Sequence, residues 1–293
     1  MINYKQLKEN GIIPKTIKKI NKSFFVDTGN NKYILKRRDS SVDKKFNYLL
    51  SRGFNYFPGH SAIKNYDIYE YIEESAVSEE EKLDEMVDLM ALLHMKTTRY
   101  KTIDLDDYKI IYEDIDKELE YLNNYYMSLN DLIDNEIYMS PSHYLLALNI
   151  SKIYSALSFC RNELDNWYDM IKESKKQRVA LTHNNLDLSH IIVGKHPYLI
   201  SWEKSKVDMP VNDLFTLYSK YVNETDFSIL LNNYQKRYPL KQEELKLFFI
   251  KISIPKKIEF KEDELENTRL VNEVLRKLKE GDKIIRPYYE KGE

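Results

Sequence analysis

The sequence predicts an α+β fold, in which a small β-rich N-terminal part is followed by a large, mostly helical part. Segments up to about residue 72 are rich in β-branched and aromatic residues and alternate in polarity as strands do. Later segments instead repeat apolar residues at the spacing of amphipathic helices. We therefore expect a β-rich lobe over residues 1–72 and a helical lobe over residues 73–293, which together form one bilobal domain.

The N-terminal part contains three predicted strands, a hairpin turn and a helix. The strands are IIPKTIKKI, KSFFVDT and KYILKRR, and the turn GNN joins the last two, because glycine and asparagine tolerate positive φ. The helix runs from Ser41 to Arg52, and Gly53 suits the left-handed conformation in which many helices end. A further strand, DIYEYIEE, leads into an extended connection near Tyr71.

The C-terminal part begins with a helix that Ser78 can cap, with Glu81 as its capping-box partner. Further helices are predicted over residues 106–128 and 141–172, and again after Pro210. Between them, VALTH, HIIV and YLISW interrupt the helical pattern and are predicted as short strands. The predicted order is therefore strands, helices, a late insertion of strands and loops, and more helices.

Composition argues against several functional classes. Lys plus Arg number 45 against 47 Asp plus Glu, so the chain has no overall basic field of the kind that gathers nucleic acid. No segment approaches the ~18 apolar residues of a membrane span, and the N-terminus lacks an apolar signal region. The single Cys160 cannot form an internal disulfide and is expected to be a small buried hydrophobe in a helix. We expect a cytoplasmic protein that has neither a membrane span nor a nucleic-acid partner.

The segment that begins at His183, HNNLDLSHIIVGKHPYLISWEKSKVDMPVNDL, resembles the catalytic region of the aminoglycoside phosphotransferase-like kinases. The family pattern is HGDLHxxN, a β-hairpin, IDWE and then PxxDL. Upstream, KYILKRR, EYIEES and LMALLHMKT resemble the strand of the ATP-contacting lysine, the hinge between the lobes and a helix ending in LxxLH. The resemblance covers about Ile13 to Tyr221 and implies a bilobal protein-kinase-like fold. The cues ILKRR, RGFNYFP and LLHMKT are similar to the spore coat protein S group within that family.

The resemblance places the catalytic positions of the family on residues that lack its chemistry. The catalytic aspartate falls on Asn185, whose neutral amide cannot accept a proton near pH 7. The metal-binding asparagine falls on His190, and imidazole is a poor ligand for Mg²⁺, which prefers oxygen. The principal metal-binding aspartate falls on Ser201, a neutral hydroxyl. The three changes predict that phosphotransferase activity has been lost.

Other positions keep the residue types that the resemblance implies. Lys36 is the candidate for the nucleotide-contacting lysine, although a strand-ending KRR is also commonly a solvated edge, and its acidic partner would lie near Asp43. His183 and Asp213 match loop residues for which a structural, hydrogen-bonding role is expected. No metal site is predicted, because His183 and His190 lack a nearby third ligand.

Three functions remain open from the sequence. The first is a pseudokinase that needs no cofactor and has a structural or docking role with protein partners. The spore coat resemblance implies that these partners are coat or sporulation proteins, in the mother cell and on the spore coat. A second function is a nucleotide-binding sensor that uses Lys36 without a metal.

The third function is an active small-molecule phosphotransferase that uses ATP and Mg²⁺ with the shifted carboxylates of Asp187 and Glu203. These residues lie two positions beyond Asn185 and Ser201, respectively. In an extended chain, two residues move a side chain by roughly 6 to 7 Å, which is too far to replace the lost group unless the loop is rebuilt. The pseudokinase is therefore the preferred prediction.

Overall fold

The computed structural model describes residues 4–290, which form two compact units that interleave along the chain. The first unit comprises the described chain up to Thr97 together with His183–Lys206. The second comprises Thr98–Thr182 together with the described chain from Val207 onward. The boundary at residue 72, which the sequence predicts between a β-rich lobe and a helical lobe, stays a prediction.

The chain contains ten helices and ten strands within the described residues. In order they are α1 (Tyr4–Glu9), β1 (Thr16–Ile20), β2 (Ser23–Asp27), β3 (Lys32–Arg37), α2 (Ser40–Ser51), β4 (His60–Ile63), β5 (Tyr66–Glu70), α3 (Glu79–Thr97), β6 (Arg99–Thr102), α4 (Leu105–Asp134), α5 (Pro141–Ala147), α6 (Ile150–Glu173), β7 (Lys176–Thr182), β8 (Ile191–Val193), β9 (Pro197–Leu199), β10 (Lys206–Asp208), α7 (Val211–Tyr221), α8 (Phe227–Arg237), α9 (Gln242–Ser253) and α10 (Glu264–Tyr289).

An antiparallel sheet forms the N-terminal part of the first unit, with strand order β1-β2-β3-β5-β4. The predicted hairpin is confirmed: β2 pairs with β3, and Gly29 in the turn has a φ of 90°. Val26, Leu35 and Ile68 from adjacent strands form a buried core with Leu7 of α1. The sequence did not predict β4, because HSAI is short and its side chains are only half-buried or exposed.

Two further parts of the first unit frame the loop that follows His183. Helix α3 begins after Ser78, whose hydroxyl accepts a hydrogen bond from the Glu81 N–H at 3.1 Å, as the capping pattern predicts. It packs against the antiparallel pair β8–β9, in which Ile191 lies opposite Leu199. The loop is therefore held between a long helix and a short hairpin.

The second unit is mostly helical, with strands β6 and β7 paired at its edge. Its central helix α6 packs against α4 and α9, and the largest fully buried side chains include Trp167, Tyr126 and Tyr234. The helix predicted over residues 141–172 is two helices, because the backbone leaves helical geometry at Asn149.

Cys160 lies on α6 and is buried, as predicted, and its burial raises the pKa of the thiol to about 12. At that pKa the thiol is protonated and unreactive near neutral pH.

These elements confirm the predicted α+β class, with an antiparallel sheet near the N-terminus and a mostly helical remainder. None of the helices in residues 4–290 combines the length and apolar character that a membrane span requires.

Candidate functional site

Lys36, on strand β3, makes polar contacts with two residues that lie far along the chain in the first unit. Its ammonium donates hydrogen bonds to the Ser201 hydroxyl at 3.2 Å and to the Glu203 carboxylate at 3.0 Å. The ammonium also lies 5.7 Å from the centre of the Tyr69 ring, on the neighbouring strand β5. The structure thus brings together Lys36 and Ser201, two positions 165 residues apart that the family resemblance assigns to one site.

The backbone at Ser201 explains why Glu203 reaches the same ammonium. Ser201 has φ 66° and ψ 54°, a left-handed conformation that costs a non-glycine residue about 1 to 2 kcal/mol. It is followed by a single 3₁₀ turn, Trp202–Lys204, instead of extended chain. The separation of two extended residues that the sequence prediction assumed therefore does not apply here.

Two anchors hold this turn in place. The Trp202 ring is buried, and its indole N–H donates to the Leu199 carbonyl at 2.8 Å. From helix α2, the Lys45 ammonium donates to the carbonyls of Trp202 and Glu203 at 3.0 and 2.7 Å. Lys45 had no predicted role, since nothing in the sequence links a lysine on this helix to a turn so far along the chain.

The Glu203 carboxylate is held in its charged form. Partial burial by itself would raise its pKa, but the Glu203 backbone N–H and the Lys36 ammonium outweigh that effect and place the pKa below its ordinary value. The Glu203 side chain is 38% exposed and the Lys36 side chain is 26% exposed, so solvent screens the ion pair substantially. The lysine therefore has an anionic partner supplied by the protein itself.

The loop that begins at His183 is closed by hydrogen bonds to its own backbone. His183 is buried, and its Nε2 lies 3.0 Å from the Ile200 carbonyl, so that nitrogen is the donor. The imidazole also meets the Trp202 ring edge-on, with 4.8 Å between centroids. Its contacts are those of a buried ring that ties the start of the loop to the end of β9.

The positions of the predicted base and metal ligands also make local contacts. The Asn185 amide donates to the Ser201 carbonyl at 3.4 Å, while the Asn185 carbonyl accepts from Nδ1 of His190 at 2.6 Å. Asp187 caps a 3₁₀ turn, where it accepts from the N–H and hydroxyl of Ser189 at 3.0 and 2.7 Å. These bonds bring Asn185 and Ser201 together, and the side chain of Asn185 cannot accept a proton near neutral pH.

Asp43 does not take the place that the sequence suggested for it beside Lys36. Its carboxylate pairs with Arg38, which also pairs with the buried Asp67. His60 also contacts the Asp67 carboxylate, with Nε2 3.0 Å from Oδ1. Among residues 4–290, Asp43, His60 and Asp67 are the one group of three such side chains with ligand atoms within 4.8 Å of one another.

In the second unit, Asp213 is fully buried in the first turn of α7. Its assigned role, hydrogen bonding to the catalytic loop, stays a prediction.

Comparison with solved structures shows what this arrangement resembles. An aminoglycoside phosphotransferase from Alicyclobacillus acidocaldarius superposes with a TM-score of 0.71 at 9% identity, covering 99% of this chain and 96% of that one. A glucosamine kinase superposes with a TM-score of 0.53 at 10% identity, covering 97% of this chain and 79% of that one. No protein-family model matches the sequence, and no curated protein matches it. The chain therefore has the protein-kinase-like fold that aminoglycoside phosphotransferases and small-molecule kinases share.

Proposed function

We propose that this chain is a pseudokinase, a protein with a kinase-like fold that does not transfer phosphate and has a structural or docking role with protein partners. The observation that carries the proposal is the polar contact at Lys36. The ammonium that the resemblance assigns to nucleotide phosphates is bound by the Ser201 hydroxyl and the Glu203 carboxylate. Its charge is therefore already balanced by an internal anion, which weakens its attraction for a phosphate.

The chemistry of the remaining positions supports the same proposal. Phosphoryl transfer needs a group that accepts or orients the substrate hydroxyl and oxygen anions that hold Mg²⁺. Asn185 and Ser201 offer a neutral amide and a neutral hydroxyl. His190 bonds to the Asn185 carbonyl through Nδ1, and its other ring nitrogen, Nε2, is a poor ligand for Mg²⁺, which prefers oxygen. None of the three supplies an anion.

One observation favours a second candidate, an active small-molecule phosphotransferase. The 3₁₀ turn at Trp202 places the Glu203 carboxylate beside the Ser201 hydroxyl, as their shared bond to Lys36 shows. An anion therefore lies next to the position of the lost metal ligand. In this candidate Glu203 would hold Mg²⁺ of a Mg-ATP substrate, and Asp187 would have to leave its cap on Ser189 to act as the base.

Thermal unfolding of the full chain with nucleotide separates these functions. A ligand present at 100 times its Kd stabilises a fold by about 2.7 kcal/mol, which is readily seen as a rise in Tm. The pseudokinase predicts no rise with millimolar ATP, with or without Mg²⁺, and no ATP turnover. Matched samples would be the wild type, Lys36→Ala, and Lys18→Ala on the exposed edge strand β1 as a control for loss of charge.

Two outcomes would replace the proposal. A Mg²⁺-dependent rise with turnover that disappears in Glu203→Gln and Asp187→Asn would establish the active phosphotransferase. A rise that does not need metal and disappears in Lys36→Ala but not in Lys18→Ala would establish the nucleotide-binding sensor. The Lys36 side chain is 26% exposed and its ion pair is screened by solvent, so its truncation should leave the fold intact.

Restoring the family residues tests whether the three positions are the cause. The triple variant Asn185→Asp, His190→Asn and Ser201→Asp returns a base and two oxygen ligands to the loop. We expect it to gain Mg²⁺-dependent ATP binding that the wild type lacks. If the wild type already binds Mg-ATP as tightly as the triple variant does, these positions are not what distinguishes this chain.

The proposed partners are proteins of the spore coat or of sporulation. This part of the proposal is supported by the sequence cues ILKRR, RGFNYFP and LLHMKT. It predicts that affinity purification of the tagged full chain from sporulating cells recovers coat proteins, and that Lys36→Ala recovers them equally. Absence of the chain from purified coats, together with recovery of no coat protein, would contradict it.

A further inference from the structure

A pocket of about 610 Å³ lies entirely within the second unit. None of its lining residues belongs to the Lys36 site. Helices α4, α7, α9 and α10 and the chain that follows α9 form its walls. Apolar side chains supply much of the lining, among them Ile115, Leu122, Phe215, Ile252 and Val274. Its volume falls within the range of roughly 300 to 1,000 Å³ that is typical of sites for small organic ligands.

The wall that follows α9 is irregular in structure but fixed in position. Helix α9 ends at Ser253, and the next residues, IPKKI, form neither helix nor strand. Two tyrosines of α4 pin them: the Tyr126 hydroxyl donates to the Lys256 carbonyl at 2.5 Å, and the Tyr125 hydroxyl donates to the Ile258 carbonyl. With its backbone held in this way, the segment contributes Lys256 and Lys257 to the lining of the pocket.

The charge of the lining differs from that of the whole chain. Four lysines line the pocket, Lys251, Lys256, Lys257 and Lys277, against one acid, Glu118. The chain as a whole carries a formal charge of −2, so this excess of cations is local. An apolar cavity with several cations on its walls favours a ligand that has both an apolar body and a negative charge.

Two of these ammonium groups lie close to aromatic rings. The Lys251 Nζ lies 5.4 Å from the centre of the Phe215 ring and donates to the Asn212 amide oxygen at 3.1 Å. The Lys257 Nζ lies 5.0 Å from the ring centre of Tyr125 and 5.6 Å from that of Tyr121. Both charges are therefore next to apolar surface.

Two of the pocket lysines pair with carboxylates that are accessible to solvent. Lys257 pairs with Glu259 at 3.2 Å, and the Glu259 side chain is 75% exposed. Lys277 pairs with Glu273 at 3.0 Å on the surface of α10, where 41% of the Glu273 side chain is exposed. Ion pairs in water contribute little and exchange readily, so an anionic ligand can compete for these ammonium groups.

We propose that this pocket binds a soluble amphiphilic anion, a carboxylate or phosphate monoester that carries an apolar chain or ring. The apolar body lies against Phe215, Ile252 and Val274, and the acidic head meets the ammonium groups of Lys251, Lys256 and Lys257. The proposal concerns the second unit alone and does not rest on the pseudokinase proposal, so either can fail without the other.

Isothermal titration of the full chain with monomeric dodecanoate and dodecyl phosphate tests the proposal. Dodecyltrimethylammonium, which has the same chain with a cationic head, and inorganic phosphate, which has the head without a chain, are the matched probes. We expect both anionic amphiphiles to bind at least about tenfold more tightly than either of the other two probes.

Variants locate the binding. The double variant Lys256→Gln and Lys257→Gln, and separately Lys251→Gln, should each weaken dodecanoate binding severalfold, while Ser219→Trp at the pocket wall should abolish it. Lys117→Gln is the control, because Lys117 lies on α4 beside Glu118 but is 71% exposed and outside the pocket. Tm values within a few degrees of the wild type would show that the variants are folded.

Three results would overturn the proposal. They are equal binding of the cationic amphiphile, dodecanoate binding that none of the pocket variants changes, and binding to phosphatidylglycerol vesicles without binding to monomeric dodecanoate. The last result would assign the lysines to a lipid surface instead of a pocket for a soluble anion.

Discussion

Lys36 and Arg38 lie two residues apart at the end of β3, yet their carboxylate partners lie in different surroundings. The partner of Lys36, Glu203, has a side chain that is 38% exposed. Arg38 pairs with Asp43 and with Asp67, whose side chain is 1% exposed. Asp67 also accepts hydrogen bonds from the Asp39 N–H at 2.7 Å and from His60.

This difference in burial predicts that the two ion pairs differ in how much they stabilise the fold. A buried carboxylate cannot regain water when a partner is removed, so each of its donors is needed. Separating a partly exposed ion pair costs little free energy, because water replaces the lost contact. The network around Asp67 is therefore expected to contribute more to the stability of the first unit than the pair at Lys36 does.

The largest effect is expected from Asp67→Asn, which keeps the shape of the side chain and removes its charge. The variant leaves Arg38 with Asp43 as its remaining anionic partner and turns a neutral amide toward the Asp39 N–H and His60 at a buried position, so we expect the free energy of unfolding to fall by about 3 kcal/mol. Urea denaturation monitored by the intrinsic fluorescence of the two tryptophans, Trp167 and Trp202, measures the loss.

Asp43→Asn is the matched control, because it removes the other carboxylate of Arg38 where the side chain is 37% exposed. Its cost should stay below about 1 kcal/mol. Equal losses in the two variants would show that burial does not distinguish the two carboxylates.

His60→Ala should have the next largest effect. The imidazole is 8% exposed, bonds to Asp67 and packs edge-on against Phe46 at 5.0 Å between centroids. Removing it deletes one donor of a buried carboxylate and an aromatic contact, for an expected loss of about 2 kcal/mol. His196→Ala, at an exposed position beside β9, should change the free energy of unfolding by less than about 0.5 kcal/mol. A His60 variant as stable as the His196 variant would remove the imidazole from the network.

Much of the first unit follows from local sequence pattern. The hairpin at Gly29, the helix that ends before Gly53 and the cap at Ser78 each depend on a few adjacent residues, and all three are present. The family resemblance also pointed to Lys36 and Ser201 as members of one site, and the structure places them 3.2 Å apart.

The details of the site depended on backbone conformation that residue types do not reveal. Serine rarely adopts positive φ, so the residues ISWEK do not predict the left-handed conformation at Ser201 that turns Glu203 toward Lys36. The pairing of Asp43 with Arg38 instead of Lys36 likewise depends on where α2 starts after β3. Pairings of this kind need the folded chain, because several cations and acids in this region could have satisfied the same pattern.

Glu203→Gln should have a small effect on stability. The variant keeps a hydrogen-bond acceptor for Lys36 and removes the charge of a screened pair, so the free energy of unfolding should fall by less than about 1 kcal/mol. Urea denaturation at neutral pH measures it beside Asp67→Asn. A loss as large as that of the Asp67 variant would mean that the pair at Lys36 is structural after all, and would weaken the contrast between the two cations.

The smallest effect is the pH dependence of that same contribution. The pKa of Glu203 is lowered in the folded chain from an ordinary value of 4.5, since its backbone N–H and Lys36 outweigh its partial burial. A carboxylate with a lowered pKa contributes stability above its unfolded pKa and loses that contribution as the pH falls through its folded pKa. The difference in free energy of unfolding between wild type and Glu203→Gln should therefore be constant from about pH 7 to pH 5 and shrink below about pH 4.5. Urea titrations of both proteins between these limits and about pH 3.5 measure it, and a difference that grows on acidification would show that burial, which raises the pKa, dominates at Glu203.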